Sequence, residues 1–381
     1  MHSVQHGGID EYLQLCGEKG RAMKILLSGG GTGGHVFPAL AVARRALAQS
    51  VDNTVLFVGH PHAIEATLVP AHGYPFVGLE CSGFAARSMP KKLKSLWDLQ
   101  RAVWQACGII RAFAPDVVLG VGGYVSMPVV IAAGLLRVPV VLHEQNASAG
   151  LANRVAARWA KRVCVSFPKA LQEFPPSKVS LSGNPVCAEL FSLPPWSGTA
   201  PHLLIFGGSQ GARPLNECMV PAVAQLLQQI HTLRVVHQSG KAQLEEVRNG
   251  YIQAGCHAQV EVVDFITDMP QAYRESALVI CRAGATTVAE LAASGRPAVL
   301  VPFPQAAGDH QTHNAMALVN AGAAVMLPQE ELTPERVAAK IKELLQNPSE
   351  LSMMARRARS VAAKGAADLI LHQCRMAARK R

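Results

Sequence analysis

The chain has 381 residues, 49% hydrophobic and 16% charged, which supplies apolar material for two or three cores and too little charge for a disordered polymer. Its net charge of +10 is uneven: residues 23 to 180 hold 16 Lys and Arg against 7 Asp and Glu, whereas residues 181 to 381 hold 18 against 16. A basic half beside a near-neutral half predicts one domain facing polyanions, and the 32 glycines and 24 prolines show no period, which excludes collagenous and low-complexity chains.

Residues 1 to 22 are polar and mixed in charge, without the basic flank and apolar core of a signal peptide, so either a native start at Met23 or a loose tail over residues 1 to 22 is expected. From there short apolar runs alternate with helix-length segments: Ile25 to Ser28, Val55 to Val58, Val117 to Gly120 and Val140 to His143, then Leu203 to Phe206, Val235 to His237, Val279 to Cys281 and Val299 to Val301. Continuous Val, Ile and Leu strands separated by amphipathic helices predict buried parallel sheets, an α/β doubly wound fold. The uncharged stretch from Val117 to Leu136 is long enough to span a bilayer, but Gly120, Gly122, Gly123 and Pro128 divide it into strand, loop and helix.

The strand and glycine turn at 25 to 34 are echoed at 203 to 212, which predicts two copies of one Rossmann-like unit facing a central cleft. The domains expected are 23–185 and 202–381, with a proline-rich linker at 186–201. Nine cysteines without a Cys-x-x-Cys pair predict reduced thiols and no zinc site, and His60-Pro61-His62 lacks an acidic or cysteine partner at ligand spacing. No two acidic residues stand two apart, so the Asp-x-Asp motif that holds a metal on a nucleotide diphosphate is absent.

Chemistry concentrates in the turns. Gly29 to His35 opens a helix, and its backbone N–H groups form an expected phosphate site. No Lys-Ser/Thr pair follows, and no acid ends the second strand, which excludes a P-loop and a dinucleotide fingerprint. His35 is a candidate general base for a sugar hydroxyl, or a residue that only orients an anion. Gly122 to Ser126 makes a second glycine loop, and His143-Glu144-Gln145-Asn146 groups hydrogen-bonding side chains after an apolar strand, either as a site or as a polar helix start. Thr286, Thr287 and Glu290 open a helix in the second half, where Glu290 fits either a ribose diol or the helix dipole.

Taken together, GGGTGGH at 29–35, GGYVSMP at 122–128, HEQN at 143–146, GNPV at 183–186, GGSQGAR at 207–213 and DHQTHNA at 309–315 closely resemble the bacterial peptidoglycan N-acetylglucosaminyltransferases, the MurG family, in order and over residues 23 to about 375. The resemblance implies a GT-B fold. It also implies inverting transfer of N-acetylglucosamine from UDP-N-acetylglucosamine to the C4 hydroxyl of the muramoyl sugar on undecaprenyl-pyrophosphate, converting lipid I to lipid II without a cofactor. It further implies donor contacts at Thr32, Gly33, Gly34, Asn146, Ser209, Ile266, Ala285, Thr286, Thr287, Glu290 and Gln311. The acceptor side would comprise Gly31, Tyr124, Ser126 and Glu144, with His35 catalytic. One departure is Cys187, where the family commonly has Arg after Gly-Asn-Pro-Val; a thiol cannot donate the guanidinium's charged fork, so the contact is either lost or supplied from elsewhere, with Arg213 and Arg282 as the candidates.

A lipid acceptor implies a peripheral enzyme on the cytoplasmic face of the plasma membrane, with wall-synthesis proteins as further partners. Lys91, Lys92 and Lys94 beside Trp97, Leu99 and Trp104 have the pattern of an interfacial helix on anionic lipid, or of a solvated face over a core. Competing expectations are a UDP-N-acetylglucosamine 2-epimerase-like enzyme and a lipid glycosyltransferase with another acceptor. Nucleic-acid binding has only the pI of 9.3 in its favour.

Overall fold

The computed structural model describes residues 22 to 81, 89 to 196 and 201 to 379, with residues 89 to 96 as backbone only. The extension expected at 1–22, apart from its last residue, and the Lys91, Lys92 and Lys94 side chains lie outside the described residues. Two sheets organise the rest. The first is ordered β3-β2-β1-β4-β5-β6-β7, from strands Lys24–Ser28 (β1), Thr54–Gly59 (β2), Phe76–Gly78 (β3), Val117–Gly120 (β4), Val140–Glu144 (β5), Arg162–Val165 (β6) and Val179–Leu181 (β7). The second is ordered β10-β9-β8-β11-β12-β13, from His202–Phe206 (β8), Arg234–Gln238 (β9), Val260–Val263 (β10), Leu278–Cys281 (β11), Ala298–Leu300 (β12) and Ala324–Met326 (β13).

Every strand pair is parallel. In β1, Leu26 lies between Leu56 and Val118, and Ile25, Leu26 and Leu27 are all buried, as strands covered by helices on both faces require. The strand order reverses at β1/β4 and again at β8/β11, which places a ligand crevice at the C-terminal ends of each sheet. Both glycine turns follow the central strand at such a reversal.

The uncharged stretch after Asp116 is β4, a loop and the helix Ser126–Leu135, and no described helix is long and apolar enough to cross a membrane. The final helix corrects the expected extent of the second domain. Ala366–Ala378 buries Ile370, Leu371 and Cys374 with Ile25, Leu27 and Val117 in the core of the first sheet, and Arg45 pairs with Asp368 at 2.6 Å. Its apolar face matches the one left open beside the first helix, Gly33–Gln49, so the chain crosses back and ties the two units together.

Candidate active site

The two crevices face one another. A methyl group on Gly33 would come within 4.0 Å of Ser209 Oγ, so the start of helix 33–49 lies against the second glycine turn. The Thr286 hydroxyl, at the start of helix Ala285–Ser294, donates to the Gly34 carbonyl at 3.2 Å and accepts from Asn184 Nδ2 at 3.3 Å. Asn314, buried in helix His310–Val319, accepts from the Ala147 N–H at 2.8 Å and donates to Asn146 Oδ1 and to the Ala283 carbonyl, both at 3.2 Å. Thr32, Gly33, Gly34, Asn146, Ser209 and Thr286 therefore meet at one interdomain seam. The polar groups of Asn146 and Thr286 are already engaged there.

His35 stands in the first turn of helix 33–49, with Nδ1 3.2 Å from Thr32 Oγ1 and its Nε2 edge against Gly122, where a methyl group would approach to 3.2 Å. Burial lowers its pKa against the opposing pull of Glu144, the Gly30 backbone and Glu65, and His310 across the cleft adds to the lowering. The imidazole is thus neutral at pH 7, as a base must be.

Glu144 is buried, and its carboxylate is fully employed within its own loop: Oε1 accepts from the Asn146 N–H at 2.9 Å, and Oε2 from the Gly150 N–H at 3.0 Å and Asn153 Nδ2 at 2.8 Å. The Ser126 hydroxyl donates to the Gly123 carbonyl at 3.0 Å. In the structure both side chains shape loops, which differs from the free polar groups that an acceptor contact would offer. Gly31 is similar, since its N–H donates to Glu65 Oε2 at 3.0 Å. Tyr124 is the exception, with a part-exposed ring 3.4 Å from the position of a Gly31 methyl.

On the second domain, Gln238 couples Ile266 to the glycine turn just before Ser209: its Oε1 accepts from the Ile266 N–H at 2.9 Å while Nε2 donates to the Gly208 carbonyl at 2.9 Å. Ala285 and Thr287 lie in the same first turn as Thr286. Glu290 sits one turn further on and accepts from the Tyr273 hydroxyl at 3.0 Å; desolvation pushes its pKa up to about 7, with Tyr273 pulling the other way. Gln311 holds the Phe303 N–H at 3.0 Å.

Neither candidate substitute stands at Cys187. The buried Arg282 guanidinium donates to the Val301 and Pro302 carbonyls at 3.2 and 3.0 Å, and Arg213 pairs with Glu246 at 3.2 Å. The guanidinium beside Cys187 is that of Arg44, 3.6 Å from Sγ and 3.0 Å from Glu189 Oε1. Sequence reasoning also missed Glu65, Gln238 and Asn314. Only Asn314 lay within a quoted motif; Glu65 and Gln238 are single polar residues with no local signal.

Comparison with known proteins matches this layout. Residues 25–165 match the glycosyltransferase family 28 N-terminal domain and residues 202–370 its C-terminal domain. The UDP-N-acetylglucosamine–N-acetylmuramyl-(pentapeptide) pyrophosphoryl-undecaprenol N-acetylglucosamine transferase of Syntrophotalea carbinolica is 49% identical over 353 residues, covering 93% of this chain and 98% of its own. That of Myxococcus xanthus is 44% identical over 354 residues, covering 91% and 92%. The crystal structure of Acinetobacter baumannii MurG superposes with a TM-score of 0.73 at 36% identity, over 93% of this chain and 99% of that one. A putative UDP-N-acetylglucosamine 2-epimerase from Listeria monocytogenes, at 14% identity and a TM-score of 0.68 over 92% and 95%, shares the fold alone. With two matched domains that meet at the seam described, and near-full-length identity of this order, the chain belongs to glycosyltransferase family 28, within its UDP-N-acetylglucosamine-dependent MurG transferases.

Proposed function

We propose that the protein transfers N-acetylglucosamine from UDP-N-acetylglucosamine to the muramoyl sugar of a polyprenyl-pyrophosphate-linked acceptor, the step from lipid I to lipid II. The observation that carries this is the 49% identity over nearly the whole of both chains, with the glycine turns at 29–34 and 207–211 facing each other across one cleft. The second domain holds the nucleotide. Ile266 borders the uracil, Glu290 accepts from the ribose diol, and Ser209 with the start of helix 285–294 faces the diphosphate, where backbone N–H groups and the helix dipole stabilise the leaving anion. Asn146, Gln311 and Thr287 complete the donor side, and Thr286 holds the seam closed.

The acceptor occupies the first domain beside Gly31 and Tyr124, on loops that Ser126 and Glu144 keep in shape. The unprotonated nitrogen of neutral His35 takes the C4 hydroxyl proton as the oxygen attacks the anomeric carbon. Attack from the face opposite the UDP leaving group inverts that carbon. An acceptor with a lipid tail calls for contact with a membrane surface, and helix Met89–Phe113 supports it: Trp97 and Trp104, seven residues apart, are 68% and 66% exposed. The enzyme would then act as a peripheral protein on anionic lipid at the cytoplasmic face of the plasma membrane, where other wall-synthesis proteins are its natural neighbours.

UDP release from UDP-N-acetylglucosamine in EDTA, with and without a short-chain lipid I analogue, tests the reading. Acceptor-dependent release is expected, with kcat reduced by about 10² to 10⁴ in His35→Ala at saturating acceptor. Release that ignores the acceptor would point to an epimerase, and release only with another lipid acceptor would move the enzyme to a different pathway.

A further inference from the structure

The loop that opens the first domain is held from below by a carboxylate. Glu65 is 1% exposed and lies under the first glycine turn, in space that a methyl group on Gly30 or Gly59 would fill at 2.0 and 2.5 Å. Its two oxygens receive the Gly31 N–H at 3.0 Å and the His60 N–H at 2.9 Å, so one buried anion fixes the loop after β1 to the loop after β2. Two consequences follow from charge and geometry. The Gly31 amide is spent on an internal carboxylate and is withdrawn from any phosphate. The His60 loop becomes part of the crevice wall.

His60 is half-buried, and its ring meets Tyr124 edge-on with centroids 5.8 Å apart. The Tyr124 ring in turn covers Gly31. His60 Nδ1 accepts from the His62 N–H at 3.2 Å, so in the neutral ring the proton is carried on Nε2, which has no hydrogen-bond partner among the described residues. A part-exposed aromatic face next to an unused N–H donor suits a pyranose bearing a phosphate: the sugar's apolar face stacks on the ring and the donor meets an anionic oxygen.

We propose that His60 is a binding residue for the sugar-diphosphate end of the acceptor, and that Glu65 is the positioning residue that sets it there. His60 works with Tyr124 as one wall, while Glu65 acts only through the two N–H groups it holds. The proposal rests on the assignment of the acceptor to the first domain.

Steady-state kinetics on the full chain with a short-chain lipid I analogue, together with calorimetric titration of UDP, provide the test. His60→Ala is expected to raise the acceptor KM about tenfold, the worth of one hydrogen bond to a charged oxygen, with donor KM and UDP affinity within about twofold of the unmodified protein. His60→Gln, which keeps an N–H donor, recovers much of that loss. Glu65→Gln turns an amide N–H toward one of the two backbone donors and is expected to raise the acceptor KM in the same way, and the double variant with His60→Ala loses less than the product of the single effects. An unchanged acceptor KM in His60→Ala, or donor and acceptor KM rising together, would overturn it. If Glu65→Gln fails to fold, seen as lost UDP binding, the two His60 variants decide alone. Failure of the functional reading is separate, because the unmodified protein would then release no UDP in response to the acceptor.

Discussion

Glu290 is half-ionised near neutral pH, because its surroundings strip water from the carboxyl and the Tyr273 hydroxyl is the donor left to it. The folded protein therefore favours the neutral acid. Below about pH 4.5 the group is protonated in folded and unfolded chains alike and costs nothing, whereas the penalty grows as pH rises toward 7 and stays constant above it. Glu290→Gln is expected to raise Tm by a few degrees at pH 8 and to leave it unchanged at pH 4. The same change weakens UDP binding about tenfold, since the amide is a poorer acceptor for a diol. Differential scanning calorimetry at the two pH values, with UDP titration at pH 8, checks both halves; equal Tm at pH 8 would refute the stability half. At this scale the sequence left Glu290 between a ribose acceptor and a helix-dipole acid, and only the structure shows the contact with Tyr273 and the burial that raises its pKa.

At the scale of elements, helix 310–319 holds the two domains together through one side chain. Asn314 makes three hydrogen bonds, one to the Ala147 backbone and one to Asn146 across the cleft, and is fully buried. Asn314→Ala leaves a buried N–H and two buried carbonyl oxygens unsatisfied at a cost of about 1 to 3 kcal/mol each at most. The expected result is a Tm lower by several degrees and a weaker UDP affinity, because Asn146 loses its anchor; unchanged values of both would show the seam to be held elsewhere. Strands were legible in proportion to their burial. The central β1, β4, β5, β8 and β11 stand out as continuous apolar runs, whereas three-residue β3, β7 and β13 and the half-buried β10 carry too few apolar positions to declare themselves. β6 is buried through Val163, Cys164 and Val165, but that run is only three residues long between Arg162 and Ser166, too short to stand out.

For the whole molecule, the exposed Trp97 and Trp104 mark one face of the first domain. On that helix Ala102, Ala106 and Ile110 point into the core, which leaves Trp97, Arg101, Trp104 and Arg111 outward. Replacing both tryptophans by Ser is expected to lower co-sedimentation with vesicles of anionic lipid about tenfold or more, and raising salt from 0.1 to 1 M to weaken binding of the unmodified protein. Binding indifferent to both would remove this helix from the membrane contact.

The sequence by itself determined the α/β class, the two glycine turns, the ordered motifs and the family they indicate, because each is encoded over a few adjacent residues. Local periodicity records which face of an element is apolar, and glycine at a strand end records where a backbone or ligand comes close. Only the tertiary structure decided that Glu65 supports the first loop, that Arg44 stands at Cys187, that Asn314 closes the seam and that residues 366 to 378 complete the first core. Glu65 lies 34 residues from Gly31, Asn314 167 from Ala147 and Arg44 143 from Cys187. Such partners are chosen by how the sheets and helices pack, and no pattern within either segment names the other.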